Sequence, residues 1–158
     1  MILKTNQGKE FIIDDEDYPK VKLFTWYISK IGYVVSDIGP RGKRRQIRLH
    51  RLLLNVLDAK TLVDHINRNE LDNRKSNLRI ANKQQNGANA ELSKHNTSGF
   101  KGVSYKADKG KWKSYIAVNG RQIHAGYFNT AAEAARQYNK LAIQYFGTFA
   151  NINHMEAM

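Results

Sequence analysis

The sequence predicts an α+β chain of two small units, each combining short antiparallel strands with helices, and three observations carry this. In the last third, the alternating runs KWKSYIAV and RQIHAGYF flank Asn119-Gly120, a dipeptide suited to the positive φ of a type I′ hairpin turn. Directly after them, Ala131, Ala135, Tyr138, Ala142 and Tyr145 recur at helical spacing behind a capping box formed by Thr130 and Glu133. In the middle, residues 61–91 are rich in asparagine and poor in apolar side chains, so they make a poor core of their own.

Residues 1–48 read as β-rich. FIID is followed by the polar DDEDYPKVK, and TWYIS and YVVSDI lie either side of Lys30, Ile31 and Gly32, which suggests a hairpin. RGKRRQIRLHR carries Arg41, Lys43, Arg44, Arg45, Arg48 and Arg51 with no acid and runs into LLLNVL, a basic strand feeding a small helix. The asparagine-rich segment reads as a strand ending at Asp64 and His65, a polar loop, a short strand NLRI, and a helix opening near Asn82, where Asn82 and Gln85 are spaced as in a capping box. LSKHNTS is polar and unpatterned, a linker. FKGVSYK, a turn at ADKG and the two alternating runs then form a three-stranded meander on which the last helix packs. The expected organisation is a first domain over 1–91, with its β-rich part at 1–48 and the strand–loop–strand–helix at about 61–91, a linker at 92–98, and a second domain over 99–153.

The chain has 158 residues and a formal net charge of +12, and five of its 14 acids (Glu10, Asp14, Asp15, Glu16, Asp17) lie in the first twenty positions. The remainder is more basic still. Phosphate backbones are the commonest partner for such a surface, because neutralising them releases condensed counterions; an anionic membrane or plain solubility are the competing uses. No apolar run is long enough to span a bilayer, and MILKTNQGKEFIIDDEDY has no basic stretch leading into an apolar one, so the expectation is an intracellular protein without a membrane partner. Cysteine is absent, which excludes disulfides and cysteine-based structural zinc. Any metal must rest on oxygen and imidazole.

Hydrolysing a phosphodiester requires an activated water, a cation to take up charge and in-line geometry. Asp64 and His65 are adjacent at a strand end, where alternation turns successive side chains apart, so one can hold a metal while the other faces water. A histidine near its reference pKa of about 6.5 suits a general base. Asn86, on the following helix, offers a neutral oxygen, and such a donor set suits Mg²⁺ or Mn²⁺. Plainer readings stand beside these: Asp next to His is ordinarily a surface pair, and Asn67, Asn69, Asn73 and Asn89 read as turn formers or caps. The consecutive acids of DDED do not converge on one point and read as a solvated loop or helix start. His50 is given a structural hydrogen bond ahead of a phosphate contact, and His95, His124 and His154 take no part in catalysis.

VDHINRNELDNRKSNLRIANKQQN resembles the ββα-metal motif of phage-type HNH homing endonucleases, over roughly residues 48–90, and the upstream GYVVSDIGPRGKRRQIRLHRLLLNV, with His50-Arg51, resembles the segment preceding that motif. The resemblance implies a ββα-metal nuclease unit in which Asp64 is a metal ligand, His65 the general base, Asn77, twelve residues after His65, a loop brace, and Asn86 the residue completing the metal site. The last letter of the motif is thus Asn, which implies one weakly bound Mg²⁺ or Mn²⁺ per site and no structural zinc. Arg44, Arg45, Arg48, His50 and Arg51 are expected along the DNA backbone. One such site cuts one strand.

Residues 99–153, through FKGV, GKWKSYI, GYFNTAAEAARQYNKLAIQYFG and FANIN, resemble an AP2 domain. That implies a sheet lying in the major groove of double-stranded DNA, with Lys101, Ser104, Lys106, Lys113, Tyr115, Ala117, Gln122, His124 and Tyr127 facing it, and Trp112, Ser114, Ile116 and Val118 facing the helix. Ser104, Ala117 and Gln122 stand where arginines are usual, and His124 where a tryptophan is usual. The missing guanidinium forks remove base contacts worth about 1–3 kcal/mol each, so lysine–phosphate contacts are expected to carry a larger share of affinity. The alternatives are a non-catalytic AP2-type regulator keeping a degenerate HNH fold, and an RNA-binding or packaging accessory. A monomer is the expected state.

Overall fold

In the computed structural model, which describes residues 1–155, the chain opens with a hairpin of β1 (Ile2–Lys4) and β2 (Glu10–Ile12). Alternation along β2 buries Phe11 and, one residue past the strand, Ile13, while Ile12 uses its backbone sideways: its N–H donates to the Leu71 carbonyl and its carbonyl accepts from the Asn73 N–H, both at 2.7 Å. A 3₁₀ turn over Asp15–Asp17 leads into α1 (Tyr18–Val21), where Pro19 occupies the first turn and needs no intrahelical donor. The acidic cluster is more than a solvated helix start. Asp17 is buried and pairs with Lys75 at 2.9 Å, Glu16 meets the same ammonium at 2.7 Å, and Asp14 accepts the Lys75 backbone N–H at 2.7 Å, so acids close together in sequence pin a distant turn.

Strands β3 (Tyr27–Ile28), β4 (Val34–Ile38) and β5 (Arg45–Arg48) form an antiparallel sheet in that order, and the basic strand feeds α2 (Leu49–Leu53) as the sequence implies. Strands β6 (Leu62–His65) and β7 (Leu78–Ala81) make a separate two-stranded ladder with Asp64 opposite Arg79 and His65 opposite Leu78. Phe11, Ile13, Val21, Trp26, Val34, Leu49, Leu53, Val63 and Leu78 form one core beneath these sheets. The buried Trp26 indole is satisfied by the Val21 carbonyl at 2.8 Å. These elements make up one compact unit, Met1–Asn82.

A second unit begins at Lys83 with α3 (Lys83–Asn89), so this helix groups with the C-terminal elements, whereas the sequence suggests a boundary at 92–98. There β8 (Val103–Lys106), β9 (Lys111–Val118) and β10 (Arg121–Phe128) form an antiparallel meander in which Asn119, at φ 51°, and Gly120, at φ 75°, make the predicted turn. Helix α4 (Ala131–Phe146) starts with both halves of the Thr130–Glu133 capping box. Ala134, Ala135, Tyr138 and Ala142 are buried on the sheet with Val103, Ser114 and Ile116, while Trp112, Val118, Ile123 and Phe128 close the layer. Tyr145 departs from the expected stripe and is exposed. The buried face advances by four residues from Ala142 to Phe146, which packs in place of the expected fifth stripe residue. Gly102, at φ 70°, lets the chain pass under Tyr138, whose ring a Cβ there would strike. Among the described residues no helix is long and apolar enough to cross a membrane.

Candidate active site

Alternation along β6 sends Asp64 and His65 to opposite sides of the ladder. Asp64 meets its cross-strand partner: Arg79 Nε donates to Oδ2 at 2.9 Å and the guanidinium Nη2 lies 2.8 Å from the same oxygen. His65 shares the side of Val63 and is 4% exposed, but it is not sealed under hydrocarbon. Its Nε2 stands 3.3 Å from the Asn73 amide oxygen, the His50 ring meets it edge-on at 5.1 Å, and the Tyr33 ring lies at 6.0 Å. An amide oxygen only accepts, so Nε2 carries the proton and Nδ1 the basic lone pair.

Burial pulls the His65 pKa below its usual 6.5, against the opposing pull of the Asn73 hydrogen bond and the Glu70, Asp64 and Asp72 carboxylates. His50 goes further, to about 3, through burial and then the positive fields of His65, Arg48 and Arg51. It is 3% exposed, its Nδ1 has no hydrogen-bond partner, and its ring is 4.9 Å from Tyr33. At Nδ1 no hydrogen bond forms, and the ring packs in a cluster with Tyr33 and His65.

The loop between β6 and β7 is held by its own amides. Asn77 Nδ2 donates to the Asp72 carbonyl at 2.8 Å and to Asn67 Oδ1 at 2.9 Å, and its Oδ1 accepts the Asn67 N–H at 2.9 Å, so this side chain spans the loop. Asp72, buried, receives Arg74 through two hydrogen bonds of 2.8 and 2.7 Å, which hold its carboxyl below the usual range. Asn73, a turn former by its sequence context, does more than turn the chain. It is fully buried and faces His65 because Ile12 of β2 fixes its backbone, and no local pattern in the asparagine run announces that partner. Sequence reasoning also misses Arg79, although a signal exists, since strand pairing at His65 and Leu78 puts it opposite Asp64.

Of the basic strand, Arg44, Arg45 and Arg48 are exposed, with the Arg48 guanidinium 5.4 Å from the Tyr33 ring centre. Arg51 is used differently. It donates to the Thr61 carbonyl at 2.6 Å and to the Asp58 carbonyl, tying the 58–61 loop to α2. Asn86 lies on α3 in the second unit with its side chain exposed.

In the second unit, the register aligns Ser104, Lys113 and Tyr127 across three strands, Tyr115 with His124, and Ala117 with Gln122. Simple alternation would put His124 and Tyr127 on opposite faces. A bulge between His124 and Gly126 restores Tyr127 to the same face, and the two rings stand 4.6 Å apart. Lys109 lies over the Tyr127 ring at 4.2 Å, and Lys113 donates to Gln122 Oε1 at 2.9 Å. Lys106 pairs with Lys111 at the edge of this face. Lys101 departs from the set: its ammonium donates to the Ala88 and Ala90 carbonyls.

A family model described as HNH endonuclease matches residues 57–88. An uncharacterised HNH endonuclease of Acanthamoeba polyphaga mimivirus is 32% identical over 161 residues, 98% of this chain and 80% of that protein. The chain belongs to the HNH endonuclease family. Protein 3.8 of Escherichia phage T7 is 30% identical over 82 residues, 52% of this chain and 68% of its own length. The C-terminal part of this HNH endonuclease is also similar to APETALA2-like protein 2 of Oryza sativa subsp. indica, 40% identical over 57 residues, which cover 36% of this chain and 13% of that protein.

The donor chemistry of this HNH endonuclease fits a hard divalent cation. Asp64 presents a carboxylate oriented by Arg79, and Asn67, Asn73 and Asn77 add amides in the loop that follows. Among the described residues no group of three or more His, Cys, Asp and Glu side chains is assembled that could hold a metal ion.

Proposed function

We propose that this HNH endonuclease is a metal-dependent, site-directed DNA nuclease of homing type. Its C-terminal AP2-like sheet docks on double-stranded DNA, and its ββα-metal unit hydrolyses one strand at a time. The observation that carries this reading is the division of labour at the end of β6, where His65 faces Asn73 and its neighbour Asp64 faces Arg79.

In this reading His65 is the general base. Asn73 holds the Nε2 proton and fixes the ring, while burial favours the neutral imidazole, the form a general base requires. Asp64 and Asn86 hold one Mg²⁺ or Mn²⁺. When bound, the ion supplies positive charge to the scissile phosphate and the departing oxygen. Arg79 on the Asp64 carboxylate offsets part of its charge, in keeping with weak binding. Asn77 keeps the loop closed around Asn73. Arg44, Arg45 and Arg48 contact backbone phosphates, and Ser104, Lys106, Lys113, Tyr115, Gln122, His124 and Tyr127 form the DNA-facing surface of the sheet.

A plasmid assay with Mg²⁺ or Mn²⁺ tests this. Wild type is expected to convert supercoiled plasmid to the nicked form, and His65→Ala to bind DNA without cutting. Supercoiled plasmid untouched by wild type at every salt concentration, or His65→Ala cutting as well as wild type, overturns it.

A further inference from the structure

Helix α3 is too short to be stable by itself, and Ala88 and Asn89, at its C-terminal end, are its buried residues. An open pocket of about 600 Å³ is lined by its Gln84, Gly87 and Ala88 together with Tyr115, Tyr138 and Phe146. What fixes the helix is a set of polar hooks from the C-terminal unit. At one end, Gln84 Oε1 accepts the backbone N–H of Asn119, in the turn joining β9 to β10, at 2.8 Å. At the other, Lys101 Nζ donates to the Ala88 carbonyl at 2.7 Å and the Ala90 carbonyl at 2.6 Å, and Asn151 binds the same two carbonyls through its N–H at 3.2 Å and its amide at 2.9 Å. The last carbonyls of a helix have no intrahelical donors and carry partial negative charge, so an ammonium there is doubly favoured. Lys101 is itself held in place: its backbone N–H and carbonyl both bind Asn153, at 2.7 and 3.0 Å.

We propose that Lys101 is a positioning residue that clamps the C-terminal end of α3 and so sets the helix that carries Asn86, rather than a lysine that contacts phosphate. The proposal rests on Asn86 being a metal ligand. Its consequence is that the DNA-reading sheet and the helix supplying a ligand are one mechanical piece: the turn between the two longest strands of the sheet touches one end of α3, and the segment leading into its first strand touches the other.

The two roles for Lys101 give opposite signatures. If Lys101 binds phosphate, Lys101→Met should weaken binding to all sequences and lower the slope of log K against log salt by about one. If it is a clamp, the same variant should keep affinity within about twofold and the slope unchanged, while kcat falls about tenfold or more at unchanged KM and half-saturating Mn²⁺ rises. In metal-free, DNA-free protein, amide hydrogen exchange across residues 83–90 should speed up in Lys101→Met, and Lys101→Arg, which can still reach both carbonyls, should restore protection. Gln84→Ala, which removes only the other hook, is expected to act in the same direction and serves if Lys101→Met does not fold. Unchanged exchange over α3, or a reduced salt slope with kcat intact, overturns the clamp. Wild-type cutting and Mn²⁺ requirement in Asn86→Ala would instead overturn the ligand reading, and the exchange measurement separates that failure from failure of the clamp.

Discussion

The amide oxygen of Asn73 stands 3.3 Å from His65 Nε2, and Asn73 is placed there from outside its own loop, by the carbonyl of Ile12. Replacing Asn73 by Leu keeps the volume and removes the acceptor. An unpaired buried donor costs about 1–3 kcal/mol, so the unfolding midpoint should fall. The Asn73 bond also raises the His65 pKa against burial. Its removal moves that pKa further down, and the acid limb of the kcat–pH profile should shift to lower pH while the plateau drops. A limb that moves up would contradict the arrangement.

His50 makes stability depend on acid. Its folded pKa of about 3 lies below the 6.5 of the unfolded chain. Between those values the unfolded chain binds more protons, so stability is full above 6.5 and drains away as pH falls through this window. Near pH 4.5 the loss from this group is about 2–3 kcal/mol. His50→Phe keeps a ring against Tyr33 and cannot be protonated. Urea unfolding near pH 7 and near pH 4.5 should show a smaller acid loss in the variant than in wild type.

Arg79 and Asp64 form a nearly dry pair, their side chains 13% and 9% exposed. Arg79→Leu takes the guanidinium away from a buried carboxylate, and breaking such a pair costs about 3–5 kcal/mol. Thermal unfolding should register that cost, and added Mn²⁺ should recover part of it, since a cation can then take the guanidinium's place beside Asp64. Recovery equal to that in wild type would argue against a metal at Asp64.

Gly102 tolerates no side chain. A Cβ there meets the Tyr115 carbonyl oxygen at 2.5 Å and the Tyr138 ring closer still, and φ is 70°. Overpacking and left-handed strain together put the cost of Gly102→Ala at about 3 kcal/mol or more. DNA affinity and the unfolding midpoint of the C-terminal unit should fall together.

Much of this is legible in the residues. The Asn119-Gly120 turn, the Thr130–Glu133 cap and the alternation burying Ser114 and Ile116 are local signals, written within a few positions of where they act. The opposite facing of Asp64 and His65 follows from strand geometry. What is not legible depends on distant partners. Asn73 needs Ile12, the Asp14–Asp17 cluster needs Lys75, and Lys101 needs the end of α3, each pairing separated by more than ten residues with no periodicity to betray it. The AP2 resemblance puts Tyr127 on the face of His124, but alternation alone does not, because a bulge adds one residue and reverses the parity on which alternation arguments rest.

The grip of Ile12 on Leu71 and Asn73 has a practical corollary for moving this nuclease into other proteins. The segment matched by the family model, 57–88, is not a portable cassette, because the splint that keeps Asn73 under His65 is borrowed from a strand some sixty positions upstream. A graft would have to carry residues 10–13 along with the motif, or supply an equivalent edge strand from its new host.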